Sequence, residues 1–305
     1  MGPKAARLTK LSGLFGLVAI ATTGCSAGDV LRFGWPEGIT PQATDMRQLW
    51  TWSVIAALVV GVIVWALILW PVIFHRKRGD EMPRQTQYNV PLEIVYTVIP
   101  VVMISVLFYF TAVTQNYVTN TEDDPDVTVD VVAFQWNWEF RYQGYTTPDG
   151  DEVSTIGTSD EIPLLVLPTD QVIQYELYSN DVIHSFWVPE FLFKRDNIPN
   201  PEANNQDNVF QNTIDRSGSF VGRCAELCGS YHAMMNFEVR ALPTDLFDQY
   251  MGLRTQDNPT TGAPYTAAEA LTEMDCGELC APQAVTTYPF ETDRTAREAS
   301  TRDGN

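Results

Sequence analysis

VTVDVVAFQWNWEFRY, residues 127–142, alternates in its second half: Phe134, Trp136, Trp138, Phe140 and Tyr142 fall on one face, Gln135, Asn137, Glu139 and Arg141 on the other. A period of two with aromatic enrichment predicts a strand with one buried face. Working downstream, Leu164–Leu167, Val172–Tyr178 with Ile173, Tyr175 and Leu177 inward, Ser185–Val188, and Asn236–Leu242 with Phe237, Val239 and Ala241 inward are further strand candidates at turn-marked spacing. Short strands in such a series predict an all-β sandwich or barrel. Pro243-Thr244-Asp245 predicts a short helix through about Leu253 with Thr244 as its cap, and Thr266-x-x-Glu269 is a capping-box pattern for one more. From about Ala281 the composition predicts a loosely ordered acidic tail.

Upstream of this region the chemistry changes. Residues 49–74, LWTWSVIAALVVGVIVWALILWPVIF, carry no charge and exceed the roughly 20 residues a helix needs to cross a bilayer. A second apolar run spans 94–113, with Pro100 inside it. Basic residues His75-Arg76-Lys77-Arg78 and Arg84 lie between the two, which predicts a transmembrane hairpin with its connection in the cytoplasm and both flanks outside. At the start, Lys4, Arg7 and Lys10 precede the apolar run 14–21 and then Gly24-Cys25, the outline of an export signal. The glycine before Cys25 favours a lipoprotein signal with Cys25 as the lipidated first residue, against an ordinary signal with an incidental cysteine. The expected organisation is a leader (1–24), an exported segment (25–47), a two-helix membrane hairpin (48–115), an exported β domain (120–253) and an acidic C-terminal extension (254–305).

The 305 residues include 38 acidic and 19 basic side chains, a formal net charge of −19. Gripping a polyanion needs clustered lysine and arginine, so the balance excludes nucleic-acid binding. With 45% hydrophobic residues and five cysteines, neither a disordered acidic protein nor a disulfide-stapled miniprotein fits.

The chemistry concentrates in residues 224–235, CAELCGSYHAMM, which hold two thiols, an imidazole and a thioether. Soft sulfur with imidazole is a copper-type ligand set. Cys228, His232 and Met235 alone match the ligand loop of a mononuclear copper site; the added Cys224 would allow two thiolates to bridge two ions, each capped by one histidine. The chain has three histidines, and His75 sits in the basic connection, which leaves His184 as the second imidazole. A lone histidine beside aromatic residues is usually a satisfied core residue. Two further readings compete: a structural zinc, whose usual spacing has two close pairs, and a Cys224–Cys228 disulfide.

Taken together, the membrane hairpin, Gln135-Trp136-Asn137-Trp138, Asp181-x-x-His184 and Cys224-x-Glu226-x-Cys228-x3-His232-x2-Met235 resemble subunit II of the haem-copper cytochrome c oxidases, over about residues 45–253. The resemblance implies a cupredoxin-like Greek-key barrel holding a dinuclear CuA centre. Cys224 and Cys228 would bridge, His184 and His232 would be terminal ligands, and Met235 and the Glu226 carbonyl would be axial. It also implies a Mg or Mn ion held partly by the Glu226 carboxylate at the boundary with subunit I, and Trp136 as the residue that receives electrons from cytochrome c. Asp181 would attract a basic donor surface, and Glu93, near Pro100, would stand at the mouth of a proton path into subunit I.

The implied function is to accept electrons and pass them to haem in a partner that reduces oxygen and translocates protons; subunits I and III would be partners. The lipoprotein-like start and FGWPEGITPQATDMRQLW (33–50) are similar to actinobacterial members, where a membrane-bound cytochrome c in a supercomplex is an alternative to a soluble donor. Residues 199–207 and the second pair Cys276-Gly-Glu-Leu-Cys280 depart from the common pattern. With no His nearby, that pair reads as a disulfide or free thiols rather than a metal site. Rival readings are a quinol oxidase subunit, which lacks the copper ligands, nitrous-oxide reductase, which needs many more histidines, and a membrane-anchored copper-binding protein or chaperone.

Overall fold

The computed structural model of the protein describes residues 26–76, 79–80, 82, 85–158 and 161–286. The leader, Cys25 and the basic residues Lys77, Arg78 and Arg84 lie outside them. The chain divides into a helical unit, residues 1–37 and 47–110, and a β unit, residues 38–46 and 111–305.

In the helical unit, helix α1 (Ala27–Leu31) begins at a reciprocal capping box: Ser26 accepts from the Asp29 amide, and Asp29 accepts from the Ser26 amide. Helices α2 (Pro41–Phe74) and α3 (Val90–Val118) are both long and apolar enough to cross a membrane. Both extend past the apolar windows read from the sequence. Hydropathy registers the part matched to lipid, whereas the helix continues until its caps; for α2 the Thr40 hydroxyl accepts from the Ala43 amide. The ring of Trp50 stacks on Trp35, with centroids 5.1 Å apart, and its indole N–H donates to the Arg32 carbonyl.

The β unit is a cupredoxin-like sandwich of two five-stranded sheets. One sheet has the order β3-β2-β1-β5-β8: β3 is Glu152–Ile156, β2 Asn137–Thr146, β1 Val127–Phe134, β5 Val172–Ser179 and β8 Val209–Thr213. The other runs β4-β10-β9-β6-β7: β4 is Leu164–Pro168, β10 Asn236–Leu242, β9 Gly218–Cys224, β6 His184–Val188 and β7 Phe193–Asn197. Strands β1 and β5 pair in parallel, as do β10 and β4; the remaining pairs are antiparallel.

The stretch that reads as one strand is two. The chain reverses at Gln135-Trp136, so Phe134 pairs with Asn137 and Ala133 with Trp138. Trp138, Phe140 and Tyr142 do face the core and are fully buried, but Trp136 sits at the hairpin tip, half-buried. A two-residue reversal without glycine interrupts neither the aromatic composition nor the alternation after it, so the pattern conceals the turn.

Between the sheets, Phe237 of β10 contacts Trp138, Phe140 and Phe186 at ring separations of 4.8–5.4 Å. Its cross-strand partner is Gly222, where an added Cβ would meet the Phe237 ring at 2.1 Å. The Tyr142 hydroxyl donates to the Val166 carbonyl and accepts from the Val166 amide, fastening one sheet to the other.

Helix α4 (Thr244–Arg254) packs beside β4. Its N-cap is Pro243, without a side-chain cap; Thr244 instead donates to the Thr169 carbonyl. Helix α5 (Ala267–Met274) has the predicted capping box at Thr266 and Glu269. The extension expected to be loose is packed on the β unit as far as Thr286. There Arg240 and Glu238, both fully buried on β10, form an ion pair at 2.5 Å. Arg240 donates to the carbonyls of Leu279, Ala281 and Gln283, and Glu238 accepts from the amides of Val285 and Thr286. Cys276 and Cys280 are joined in a disulfide beside this clasp.

Candidate metal centre

Three segments converge at one end of the sandwich. His184 opens β6, Cys224 closes β9, and the loop between β9 and β10 carries Glu226, Cys228, His232 and Met235. Phe186 pairs directly with Cys224 across the β6–β9 ladder, which brings a histidine and a cysteine 40 positions apart in sequence to the same edge. A 3-10 turn over His232–Met234 folds the loop back, and the Cys224 amide donates to the Met235 carbonyl.

The donor atoms form two thiol–imidazole couples. The Sγ atom of Cys224 lies 3.9 Å from His184 Nδ1, and that of Cys228 lies 3.6 Å from His232 Nδ1. The two sulfurs are 3.8 Å apart and not bonded to each other, which corrects the disulfide alternative. Met235 Sδ is 3.8 Å from Cys228 Sγ, and the Glu226 carbonyl oxygen 3.2 Å from Cys224 Sγ. His184 and Met235 are fully buried, and Cys224 and Cys228 nearly so. The His184 ring is buried with a partner at each nitrogen, Cys224 Sγ at Nδ1 and Asp181 at Nε2. Two thiols, two imidazoles, a thioether and a carbonyl, with both sulfurs nearly buried, are a chemical fit to copper, and a poor one to structural zinc, which has no use for the thioether.

The cysteines differ electrostatically. Burial pushes the Cys224 thiol up, but the His184 ring and the backbone at Ser185 and Glu226 outweigh it and bring it down to about 7. Burial, and then the charge of Cys224, push Cys228 up to about 12. One thiolate forms readily, and the second needs a cation to replace its proton.

A hydrogen-bonded brace surrounds the set. Asp181 Oδ1 lies 2.8 Å from His184 Nε2, while Oδ2 accepts from the Gln135 amide at 2.6 Å. Burial opposes the Asp181 carboxylate, but these hydrogen bonds prevail and hold it below its ordinary range. Burial likewise disfavours His184 cation formation, yet Cys224 and Asp181 together raise it. Asp181, read as a charge facing a donor, is an exposed residue whose two carboxylate oxygens engage His184 and the Gln135 amide. Gln135 Nε2 and Trp136 Nε1 both donate to the Cys228 carbonyl, at 2.6 and 3.2 Å, and Trp138 Nε1 donates to the Met235 carbonyl at 3.3 Å. The sequence gives Gln135 no role beyond its place in the Gln135-Trp136-Asn137-Trp138 motif.

The remaining predicted residues lie apart from this cluster. The Glu226 side chain is exposed. Glu93 is in the first turn of α3, where its carboxylate accepts from the Asn89 amide at 2.9 Å. Cys25 is outside the described residues. On its His232 side the cluster opens into a concavity of about 680 Å³ whose lining includes Trp187, Phe193, Lys194 and Arg223.

The family described as Cytochrome C oxidase subunit II, periplasmic domain, matches residues 127–242. A Nocardia farcinica protein named "Probable cytochrome c oxidase subunit 2" is 49% identical, over 96% of this chain and 91% of that one. Cytochrome c oxidase subunit 2 of Mycobacterium tuberculosis is 45% identical, over 94% of this chain and 90% of the relative. The crystal structure of the periplasmic domain of subunit II of cytochrome oxidase from Bradyrhizobium japonicum is 26% identical and covers 43% of this chain and 95% of its own, with a TM-score of 0.36.

Proposed function

The chain belongs to the cytochrome c oxidase subunit II family, and from that premise we propose that it is the subunit that accepts electrons from a c-type cytochrome at a dinuclear CuA centre and hands them to haem in subunit I. The observation that carries the reading is the pairing of donors: two sulfurs 3.8 Å apart, each with a histidine nitrogen of its own at 3.9 and 3.6 Å. A single ion would need one such couple; two couples side by side suit two ions. Cys224, Cys228, His184 and His232 would hold the copper, with Met235 and the Glu226 carbonyl as weaker donors. Bound copper would supply a one-electron acceptor whose charge is shared between two ions through the thiolates.

The protein's own residues hold that acceptor still. Asp181 orients the His184 ring, and Trp138 holds the Met235 backbone. Gln135 and Trp136 secure the Cys228 carbonyl. Both sulfurs are nearly buried, which limits the solvent that rearranges when charge arrives. Trp136, at the hairpin tip and bonded to a ligand's carbonyl, is the residue where electrons would arrive. The concavity beside His232 gives the site a second face, suited to the partner that receives them.

The rest of the assignment follows the same premise. The β unit would stand outside the membrane, with the connection between α2 and α3 in the cytoplasm, and Cys25 would be lipidated. Subunits I and III would be its neighbours, and the donor would be a soluble or membrane-bound cytochrome c. The exposed Glu226 carboxylate would help hold Mg or Mn at the boundary with subunit I, and Glu93 would open a proton path.

The full chain, refolded or reconstituted with copper in detergent, is expected to retain two copper ions per chain and turn purple. One copper per chain, or preferential retention of zinc, would overturn the dinuclear reading.

A further inference from the structure

Trp136 stands on a two-residue hairpin reversal, where a side chain ordinarily has rotamer freedom. Two contacts remove it. Its indole N–H donates to the Cys228 carbonyl at 3.2 Å, and its ring meets Tyr231 edge-on, with centroids 5.0 Å apart and planes at 73°. That is within the favoured range for a T-shaped aromatic pair. Tyr231 immediately precedes His232 and belongs to the same loop as Cys228, so it ties the indole to that loop by a second contact. The close approach depends on Gly229, whose φ of +124° suits only glycine and where an added Cβ would come within 3.1 Å of Trp136 Nε1.

We propose that Tyr231 is a positioning residue for electron transfer: its ring clamps the Trp136 indole against the Cys228 carbonyl and keeps the donor-to-site path short. The inference rests on the reading of Trp136 as the point of electron arrival. One electron moves, a ferrous c-type haem becoming ferric as the copper pair is reduced by one; no bond is made or broken. Tunnelling falls steeply with the gap between groups, so an indole that swings away from the carbonyl slows the transfer without changing any ligand. Tyr231 itself is 44% exposed, which leaves its other edge at the surface that a donor would meet.

The test uses the full chain in detergent, labelled with ¹⁵N-indole tryptophan, in Tyr231→Leu, Tyr231→Phe and Trp136→Ala forms. In the metal-free chain, Tyr231→Leu is expected to move the Trp136 indole N–H resonance toward its solvent-exposed position and to speed its exchange. An aromatic pair of this geometry biases a rotamer equilibrium roughly two- to tenfold, and reduction of the copper-loaded chain by a reduced c-type cytochrome should slow by a similar factor. Copper content and the visible spectrum should stay unchanged. Tyr231→Phe keeps the ring and should restore both readouts. An unmoved indole resonance and a normal rate in Tyr231→Leu, or failure of Tyr231→Phe to rescue, would overturn the clamp. A normal rate in Trp136→Ala would instead overturn the arrival role of Trp136, and the indole resonance would then judge the clamp alone.

Discussion

The protein contains two nearly identical pentapeptides with opposite fates: Cys-Ala-Glu-Leu-Cys at 224–228 and Cys-Gly-Glu-Leu-Cys at 276–280. In the tail the sulfurs are bonded, with Cα atoms 5.1 Å apart across a 3-10 turn. In the loop they stand 3.8 Å apart as free thiols. Spacing therefore does not decide the chemistry. The tail pair has no imidazole beside it, whereas the loop pair is grouped with His184, His232 and Met235. His184 arrives from another strand through the β6–β9 ladder. A thiol beside an imidazole is stabilised as thiolate, and a thiolate in a dry pocket calls for a cation rather than for its neighbour.

The comparison is broken most directly by exchanging cysteines. Cys224→Ser or Cys228→Ser should abolish the copper absorption entirely, while Cys276→Ser together with Cys280→Ser should leave the copper content per chain unchanged by elemental analysis. Copper loss in the tail variant would mean that the two pairs are not independent.

The next largest effect concerns what holds the tail in place. Arg240→Met leaves Glu238 buried without its partner, and breaking a buried pair in this way costs about 3–5 kcal/mol. Denaturant unfolding of the full chain should show that loss, with cleavage after residue 275 by an added protease as the local readout. Glu238→Leu combined with Arg240→Met should recover part of the stability without restoring the tail's protection. If Arg240→Met unfolds at the same denaturant concentration as the parent, the clasp contributes little.

Opening the disulfide is a smaller change. A closed loop this short stabilises by about 2 kcal/mol in the chain-entropy view, so the double serine variant should unfold earlier by that amount, with the copper spectrum intact. Thr266→Ala removes the cap of α5 and should cost about 1 kcal/mol. Equal effects of Thr266→Ala on stability and on copper content would show that the extension reaches the metal centre, contrary to the separation of the two regions.

Much of the fold was legible. The apolar windows located α2 and α3, alternation located β5, which buries one face, and short apolar runs located β4, β6 and β10, which are buried along nearly their whole length. Strands β3, β7, β8 and β9 were not legible: β7 reads Phe-Lys-Arg-Asp-Asn, and β9 includes two glycines, one of which is required by the Phe237 ring. The donor residues were legible from their chemistry and local spacing. The brace through Asp181 and Gln135 was not, since side-chain hydrogen bonds to backbone groups leave no periodic trace. The charge of Asp181 suggested a surface role, and only its neighbours reveal that both carboxylate oxygens are engaged within the site.

By itself the sequence determined the class of chain, two apolar helices followed by a β unit, and the set of soft donors, because hydropathy, alternation and ligand chemistry are properties of residue types at fixed spacing. The tertiary structure decided which cysteines meet histidines, where the chain turns at Gln135-Trp136, and that Glu238 and Arg240 hold the extension on β10. Each of those depends on strands brought together from distant parts of the chain: a ladder that pairs Phe186 with Cys224 puts an imidazole beside a thiol, and no local pattern carries that pairing.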